Sequence, residues 1–324
     1  MPATTLQLAS IALLAAALPA CATRPPRPVA ASAPPPHVTE VRVRVQERPG
    51  VMRVRRVPLE EYVAGCVDAE LGRIDLDQPA AARMRRIQAI LCRTYAVANL
   101  GRHAAEGFDL CATDHCQMFR QLPSASLSAR LARDGASGTA GLIIAAAGRP
   151  INALFHSNCG GRTSRAESVW GGRPEPYLVS QIDPPCERAP LWRIEADRNR
   201  LLLALRRDQR TDPGSRLDEV RIAARDEAGR AATVVLAGAT VRSVRGDTFR
   251  SALTSSLGAT SLRSTMFVVR QNGDTFIFEG KGSGHGVGLC QAGAVARART
   301  GQTEEAILSF YYPGTQLLRM TTSR

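Results

Sequence analysis

The sequence feature that most constrains the fold is a run of alternating glycines in the C-terminal part of the chain. In GKGSGHGVGLCQAGA, residues 280–294, glycine takes every second position from Gly282 to Gly288. Strict alternation fits neither the G-x-G-x-x-G pattern of dinucleotide-binding turns nor the P-loop, whose GK[ST] ending is missing. The run therefore predicts a tightly bent loop that was shaped by something other than a nucleotide.

Composition allows a sizeable core but does not indicate a nucleic-acid partner. The chain has 324 residues and is 44% hydrophobic, enough for one large domain or two smaller ones. A formal net charge of +13 would ordinarily suggest an anionic partner. However, Lys281 is the only lysine, and the arginines are spread along the chain without a recognised nucleic-acid module. We therefore expect no binding of nucleic acid.

Residues 1–21, MPATTLQLASIALLAAALPAC, are typical of an export signal. Their apolar run at 11–18 is too short to span a bilayer. The LPAC ending resembles a lipoprotein processing site, which predicts lipidation of Cys21 and a periplasmic protein anchored to the membrane. Residues 22–38 are rich in proline and alanine and predict a semi-extended tether.

Hydrophobic periodicity predicts an α+β fold. Apolar and charged residues alternate from Val38 to Val57, which favours strands. After Pro58 the spacing becomes helical, with Ala64 and Asp68 on the side away from the apolar stripe. The other expected elements are helices near 79–100, 125–138, 289–299 and 303–311, a loop over 101–125, strands in GLIIAAAG and PINALFHSN, alternating segments within 193–279, and a hairpin turn at Asn272 and Gly273.

Glu70 continues the apolar stripe of the first helix, one turn after Cys66. A carboxylate on such a face loses hydration, which raises its pKa toward the range where it can donate a proton near neutral pH. Glu70 is thus a candidate general acid. The alternative is a structural glutamate paired with one of the many arginines.

Cys111, His115 and Cys116 form a compact group, and His103 precedes them by eight residues. Four nitrogen and sulfur ligands suit tetrahedral zinc, whereas an oxidising compartment favours a Cys111–Cys116 disulfide. Both alternatives make the group structural.

Cys159 and Cys186 could pair with each other, and His156 is a further possible ligand nearby. Cys290 could form a nucleophilic pair with His285, which would make the protein a thiol enzyme.

Seven motifs occur in the order found in the SpoIID family of peptidoglycan lytic transglycosylases and their LytB-like relatives, which the chain resembles from about residue 40 to 316. They are PLEEYVAGCVDAEL, IQAILCRTYAV, CQMF, FHSNCGGRT, LRSTMFVV, GHGVGLCQAGA and ILSFYYPGT. The resemblance implies an α+β domain over 39–316 that is unlike lysozyme, with a helical active-site region packed against mostly antiparallel β-structure. Two lobes, 39–190 and 191–316, are possible.

The resemblance also implies a reaction with Glu70 as the catalytic residue. Ordinary glycosidases need two carboxylates. In a lytic transglycosylase the muramic acid C6 hydroxyl attacks the anomeric carbon, so one glutamate serves as acid and base and leaves a 1,6-anhydro end. The expected substrate is the MurNAc-β-1,4-GlcNAc bond of glycan strands, possibly strands stripped of stem peptides, with no cofactor for catalysis.

By the same resemblance, the glycine loop would lie against the sugar chain, because glycine removes side chains where the polymer approaches the backbone. Some family members bind zinc at the stretch that contains Cys111 and Cys116. The residues expected to contact substrate are Gly284, His285, Gly286, Gly288, Gln291, Arg93, Tyr95, Tyr311 and Tyr312.

A different function is also open. Relatives that enhance amidases suggest a non-catalytic glycan-binding protein that recruits another cell-wall hydrolase. Such a protein would keep the glycine loop but would not need an acid at position 70.

Overall fold

The computed structural model describes residues 38–71 and 78–320, and within them the chain has the α+β fold that the sequence predicts. The expected signal peptide, the lipidation site Cys21 and all of the tether up to residue 37 lie outside the described residues.

The helices expected from periodicity are all present, with ends shifted by a few residues. Three further helices were not expected: Ala166–Trp170, and two within 193–279, Arg198–Leu205 and Gly246–Leu257, where only alternating segments were expected. In chain order the helices are α1 (Leu59–Leu71), α2 (Gln78–Ala98), α3 (Leu127–Ser137), α4 (Ala166–Trp170), α5 (Arg198–Leu205), α6 (Gly246–Leu257), α7 (Gln291–Arg299) and α8 (Glu304–Tyr311), with 3₁₀ turns at Ala104–Glu106 and Pro184–Cys186.

The strands form small, mostly antiparallel sheets. They are β1 (Glu40–Arg48), β2 (Val51–Pro58), β3 (Leu110–Cys111), β4 (Leu142–Ala146), β5 (Arg149–Pro150), β6 (Phe155–His156), β7 (Leu191–Asp197), β8 (Leu217–Arg225), β9 (Ala231–Gly238), β10 (Val241–Arg245), β11 (Phe267–Asn272), β12 (Thr275–Lys281), β13 (Leu289–Cys290) and β14 (Gln316–Arg319). The sheet orders are β2-β1-β3, β10-β9-β8, β11-β12-β7, β13-β6 and β14-β4-β5.

The N-terminal hairpin positions the first helix. β1 and β2 pair antiparallel with Glu40 opposite Pro58, and the buried Val41 and Val43 account for the alternation of the sequence. The N–H of Leu59 donates to the carbonyl of Thr39 at 2.8 Å, so α1 begins where the hairpin ends. β3 joins β1 in parallel and brings the loop that follows it close to this sheet.

α1 is buried on more sides than its sequence predicts. Ala64 and Asp68, expected on the outer side, are 1% and 5% exposed. The reason is α3, which packs against α1 and closes the side that α2 leaves open. A helix that is covered by two other helices has no side exposed to solvent at its centre. The single apolar stripe in the sequence of α1 indicates contact on one side only, so it does not predict this burial.

α2 crosses the centre of the N-terminal part and packs against α1, α3, α7, α8 and β4. Its buried residues belong to two hydrophobic cores, one with α1 and β1 and the other with α7 and α8.

A third core is built from residues between Trp192 and Phe278, where Phe249, Phe267 and Phe278 have ring centroids about 6 Å apart. The predicted hairpin is present as β11 and β12, with Asn272 opposite Thr275. The possible division of the domain into two lobes, 39–190 and 191–316, stays a prediction. None of the helices in 38–71 and 78–320 is long and apolar enough to cross a membrane.

Candidate active site

Glu70 lies in the last turn of α1, half-buried, and its carboxylate faces the loop of residues 112–122. The main-chain N–H of Met118 in this loop donates to Oε1 of Glu70 at 3.0 Å. The carboxylate thus lies on the buried stripe that the sequence predicted, next to a loop that is distant in sequence.

The pKa of Glu70 is raised to about 7, chiefly because burial disfavours the charged form. The nearby Asp114 raises this pKa further, while the hydrogen bond from Met118 lowers it. No arginine pairs with Glu70 in the part of the chain that the structure describes. By contrast, Glu60 and Glu61 on the same helix pair with arginines. Within 38–71 and 78–320, therefore, Glu70 lacks the arginine partner that was the alternative.

Side chains of α1 hold the 112–122 loop in place. The hydroxyl of Tyr62 donates to Oε1 of Gln117 at 3.1 Å, and its ring stacks on Phe119 at 5.2 Å. Gly65 allows this approach, since a Cβ there would lie 2.5 Å from the Phe119 ring and 2.6 Å from the carbonyl oxygen of Arg120. The loop therefore packs directly on the helix that carries Glu70.

Asp68 is a functional candidate that sequence reasoning missed. It accepts hydrogen bonds from the Nε of Arg120, at 2.5 Å, and from the hydroxyl of Ser128. Both partners are more than 50 residues away in sequence, so no local signal identifies them. Asp68 fixes the far end of the loop and so helps to position the backbone opposite Glu70.

His103, Cys111, His115 and Cys116 converge as expected, and their ligand atoms all lie within 4.8 Å of one another. Nε2 of His103 is 3.3 Å from Sγ of Cys116, and Nδ1 of His115 is 3.5 Å from Sγ of Cys111. No disulfide joins the cysteines within the described residues.

This donor set fits a tetrahedral zinc ion, since two thiols and two imidazoles supply four ligands. Nδ1 of His103 also contacts Oε1 of Glu106 at 2.6 Å, the kind of carboxylate contact that orients a metal-binding histidine. The group ends two residues before Met118. The cluster that folds this loop therefore also sets the position of the hydrogen-bond donor to Glu70.

The alternating glycines all take left-handed backbone, with φ between 69° and 95° from Gly282 to Gly288. Gly282, Gly284 and Gly288 pack along residues 154–158. A Cβ on Gly288 would lie 2.0 Å from the carbonyl oxygen of Leu154, and one on Gly282 would lie 2.9 Å from that of Asn158. The tight loop was predicted correctly, and in the structure the close approach is to the protein's own backbone.

Gly284 and Gly286 approach side chains instead of backbone. A Cβ on Gly284 would lie 2.9 Å from Cβ of His156, and one on Gly286 would lie 2.3 Å from Nε of Arg230. Both glycines therefore serve internal packing.

His285 uses both ring nitrogens within the loop. Nδ1 accepts a hydrogen bond from the N–H of Val287 at 3.1 Å, so Nε2 donates to the carbonyl of Phe155 at 2.9 Å. Burial lowers the pKa of His285 well below its usual value, which keeps the ring neutral. Neither nitrogen is free for a sugar, in contrast to the expected substrate contact. Neither is free to activate Cys290, so the structure also lacks the catalytic thiol pair.

Arg93 is fully buried, which corrects its expected contact with substrate. Its Nε donates to Oε1 of Glu60 at 2.9 Å, and further N–H groups donate to the carbonyls of Leu142 and Ala136. This guanidinium ties α2 to α1 and has no surface that a glycan could reach.

The three tyrosines expected at the groove also belong to the core. Tyr95 is 5% exposed, Tyr311 1% and Tyr312 0%. The hydroxyl of Tyr311 donates to Oδ2 of Asp183 at 2.8 Å, and that of Tyr312 donates to the carbonyl of Leu154. The hydroxyls of Tyr311 and Tyr312 are satisfied inside the protein, and the ring of Tyr95 is buried, so these residues support the fold and do not line a groove.

Gln291 is partly buried at the start of α7, where its Nε2 donates to Oε1 of Gln88 at 3.1 Å. Gln88 is 0% exposed. This contact links α7 to α2, and a role of Gln291 toward substrate stays a prediction.

Cys159 and Cys186, expected as a possible disulfide, are both free thiols. Cys290 joins them: its Sγ lies 3.4 Å from Sγ of Cys186. The sequence expectation of a pair is therefore corrected to a group of three buried thiols.

A cleft of about 740 Å³ opens between the β1-β2 hairpin and the 112–122 loop. Glu61 of α1 and Thr113 and Phe119 of the loop contribute to its wall. Its lining carries the arginines Arg44, Arg55, Arg56, Arg120 and Arg133. The side chain of Arg56 has no ion-pair or hydrogen-bond partner among the described residues, so one free positive charge faces the cleft.

Comparison with known proteins identifies two regions. Residues 47–145, which contain Glu70 and the Cys/His cluster, match the family model described as SpoIID, stage II sporulation protein. Residues 191–288 match a model described as a domain of unknown function.

Several curated proteins are similar to this chain. Stage II sporulation protein D of Bacillus subtilis (strain 168) is 30% identical over 278 residues, which cover 82% of this chain and 75% of that protein. The protein of the same name from Bacillus amyloliquefaciens is 29% identical, with the same coverage. The amidase enhancer of Bacillus subtilis is 46% identical over 67 residues, 21% of this chain and 10% of that protein. On the first of these similarities, the chain belongs to the SpoIID family, which is linked to the processing of the cell wall.

Proposed function

We propose that this protein is a lytic transglycosylase that cleaves the MurNAc-β-1,4-GlcNAc bond of peptidoglycan glycan strands, with Glu70 as general acid and base. The observation that carries the proposal is the environment of Glu70: a half-buried carboxylate without a cationic partner among the described residues and with a pKa of about 7.

In the first step, protonated Glu70 gives its proton to the glycosidic oxygen as the bond to the anomeric carbon breaks. The ionised carboxylate then takes the proton of the muramic acid C6 hydroxyl as that oxygen bonds to the anomeric carbon. The proton lost in the first step is regained in the second, so one carboxylate is sufficient. A pKa of about 7 suits Glu70 both as acid and as base near neutral pH, because the protonated and the ionised carboxyl group then have similar free energies.

The Cys/His cluster would act through structure. His103, Cys111, His115 and Cys116 would hold zinc, which supplies the cross-link that fixes the 112–122 loop. The loop in turn presents the Met118 N–H to Glu70. No catalytic cofactor takes part in the proposed reaction.

The arginine-lined cleft is suited to an anionic polymer. Removal of the stem peptides frees the lactyl carboxylates of muramic acid, so denuded glycan strands are anionic. Arg56 offers an unpaired guanidinium to such a group. We place part of the bound strand along this cleft, which is lined by the same 112–122 loop that contacts Glu70.

The deciding experiment compares the full-length protein with Glu70→Gln and Glu219→Gln on denuded glycan strands. Glu219 lies on the exposed face of β8, in the separate third-core region, and serves as the matched control. Mass spectrometry should find 1,6-anhydromuramic ends with the wild type and with Glu219→Gln, and none above background with Glu70→Gln. Reducing ends without the anhydro form would instead indicate a hydrolase.

A second candidate is a glycan-binding protein that recruits or activates a cell-wall amidase. The similarity to an amidase enhancer over 67 residues favours it. If the wild type and Glu70→Gln bind strands equally, cut none, and raise the rate of an added amidase alike, this function replaces the transglycosylase.

We also propose that the protein is exported to the periplasm and anchored through a lipid on Cys21. The support is the apolar run and the LPAC sequence within residues 1–21. Cys21→Ser should move the protein from the membrane fraction to the soluble periplasmic fraction. Unchanged fractionation of that variant would exclude the lipid anchor.

A further inference from the structure

A second group of metal-ligand residues lies in the interior, apart from the Cys/His cluster. Cys159, Asp183, Cys186 and Cys290 place their ligand atoms within 4.8 Å of one another, and all four residues are buried. They come from three separated segments: the turn after β6, the 3₁₀ turn at Pro184–Cys186, and the start of α7. Such convergence of three thiols and a carboxylate requires an explanation.

The spacing of the group matches ligands around one ion. Sγ of Cys186 lies 3.4 Å from Sγ of Cys290, and Sγ of Cys159 lies 3.4 Å from Oδ2 of Asp183. A disulfide would need about 2.05 Å between sulfurs. Two thiolates at a tetrahedral zinc, with bonds of about 2.3 Å, are separated by about 3.8 Å.

Main-chain N–H groups point at the sulfurs. Sγ of Cys290 accepts from the N–H of Cys159 at 3.2 Å and from that of Gly293 at 3.4 Å. Sγ of Cys159 accepts from the N–H of Gly161 at 3.4 Å. Donors of this kind stabilise the thiolate, which is the form that binds a metal.

Two buried arginines indicate negative charge at the group. Nη1 of Arg297 donates to Oδ1 of Asp183 at 2.6 Å. Arg230 is 1% exposed, and its Nη2 donates to the carbonyl of Cys159 at 2.7 Å. Its Nε and Nη1 have no hydrogen-bond partner among the described residues.

A buried guanidinium without a counter-charge is strongly unfavourable. Three thiolates and one carboxylate around a divalent ion would leave two net negative charges, which the two arginines balance. Asp226 also favours the charged guanidinium of Arg230, and thiolates at Cys159 and Cys290 would add to this compensation.

We propose that Cys159, Cys186, Cys290 and Asp183 form a second metal site, with zinc or a similar thiophilic divalent ion as the ligand. Thiolate-rich tetrahedral donors select such ions. With no open position on a closed set of four ligands, the ion would be structural. It would tie the glycine-loop region and α7 to the turn at Pro184–Cys186. The site is independent of the transglycosylase proposal.

The test is the metal content of the purified full-length protein, measured by mass spectrometry after saturation with zinc and removal of free ion. We expect two zinc ions per chain in the wild type. Cys186→Ser and Asp183→Asn should each retain one, and so should Cys116→Ser, which affects the other cluster. Cys92→Ser, a buried cysteine outside both groups, should retain two.

Cobalt(II) substitution provides a measurement that does not depend on the variants folding well. The wild type should show thiolate-to-cobalt absorption at two equivalents of metal, with the stronger intensity from the site with three thiolates. One zinc per chain in the wild type, lost with Cys116→Ser, would overturn the proposal. So would a Cys186–Cys290 disulfide in a peptide map made without reduction.

Discussion

The main-chain N–H of Met118 donates a 3.0 Å hydrogen bond to Oε1 of Glu70, and Met118 follows Cys116 of the Cys/His cluster by two residues. A donor favours the ionised carboxylate, whereas burial favours the protonated one. The balance leaves the pKa of Glu70 at about 7. The loop therefore adjusts the acidity of the residue that we propose as the catalyst.

Glycan cleavage should depend on pH through Glu70. The leaving oxygen needs a protonated carboxylic acid, so we expect kcat/KM to fall about tenfold per pH unit above pH 7. The measurement is the initial rate of anhydro-end formation between about pH 5 and pH 9. A rate that is level across this range would contradict the assignment of the acid.

Glu70→Gln should stabilise the protein at neutral and alkaline pH. The pKa of Glu70 is higher in the folded state, about 7 against an ordinary 4.5, so folding favours the protonated acid. The free-energy cost of burying the ionised carboxylate of Glu70 is absent below pH 4.5. It grows between pH 4.5 and about pH 7 and is complete above pH 7. Urea unfolding at about pH 8 should show a gain of about 3 kcal/mol for Glu70→Gln that disappears near pH 4.5. An equal gain at both values would show that the pKa is not raised.

Loss of the metal in the Cys/His cluster should impair catalysis more than strand binding. Cys116→Ser would loosen the loop that places Met118 opposite Glu70, and we expect a fall in kcat of about 10- to 100-fold. Binding to denuded strands, measured by co-sedimentation, should change less than threefold. Cys92→Ser is the control, since Cys92 is buried outside the cluster. Equal losses in binding and kcat would indicate general unfolding.

Gly288→Ala should be strongly destabilising. The residue has φ of 69°, and a Cβ would lie 2.0 Å from the carbonyl oxygen of Leu154. We expect a loss of more than about 3 kcal/mol in thermal or urea unfolding. Gly301→Ala is the matched control, with φ of 85° but open space around its Cβ, and should cost about 1 kcal/mol. Equal effects would show that backbone strain alone determines the cost.

Arg56→Ala should weaken the binding of anionic glycan strands without changing kcat. The side chain is exposed in the cleft, so the expected loss is about three- to fivefold in Kd at low salt and less at high salt. Arg216→Ala, directly before β8 and away from the cleft, should leave Kd unchanged. If both variants bind equally well, strands do not use this cleft.

Local sequence patterns predicted most of the helices and the hairpins, because each pattern reflects burial on one face of one element. They failed in 193–279, where α5 and α6 interrupt the alternating segments. They also failed at Asp68, since the expected solvent side of α1 is covered by α3.

The substrate contacts show a different limit. The resemblance to the family implies that Tyr311 and Tyr312 lie near the glycine loop, and Tyr312 does contact Leu289 there. Arg93, expected to face Glu70, contacts Glu60 and the carbonyl of Leu142 instead. All three face inward, because their polar groups meet Glu60, Asp183 and the carbonyl of Leu154. A motif can be specific for a family because it holds the structure together, without any contact with substrate.

The sequence by itself determined the periods of the strands and helices, the tight glycine loop, the position of Glu70 on a buried stripe, and the ligand types near Cys111. Each of these depends on residues that are close along the chain. The tertiary structure decided which groups are in contact. Met118 contacts Glu70, the backbone of Phe155 contacts His285, and Cys290 lies beside Cys186. These partners lie 48 to 130 residues apart, and only the packing of whole elements brings such groups within hydrogen-bonding distance.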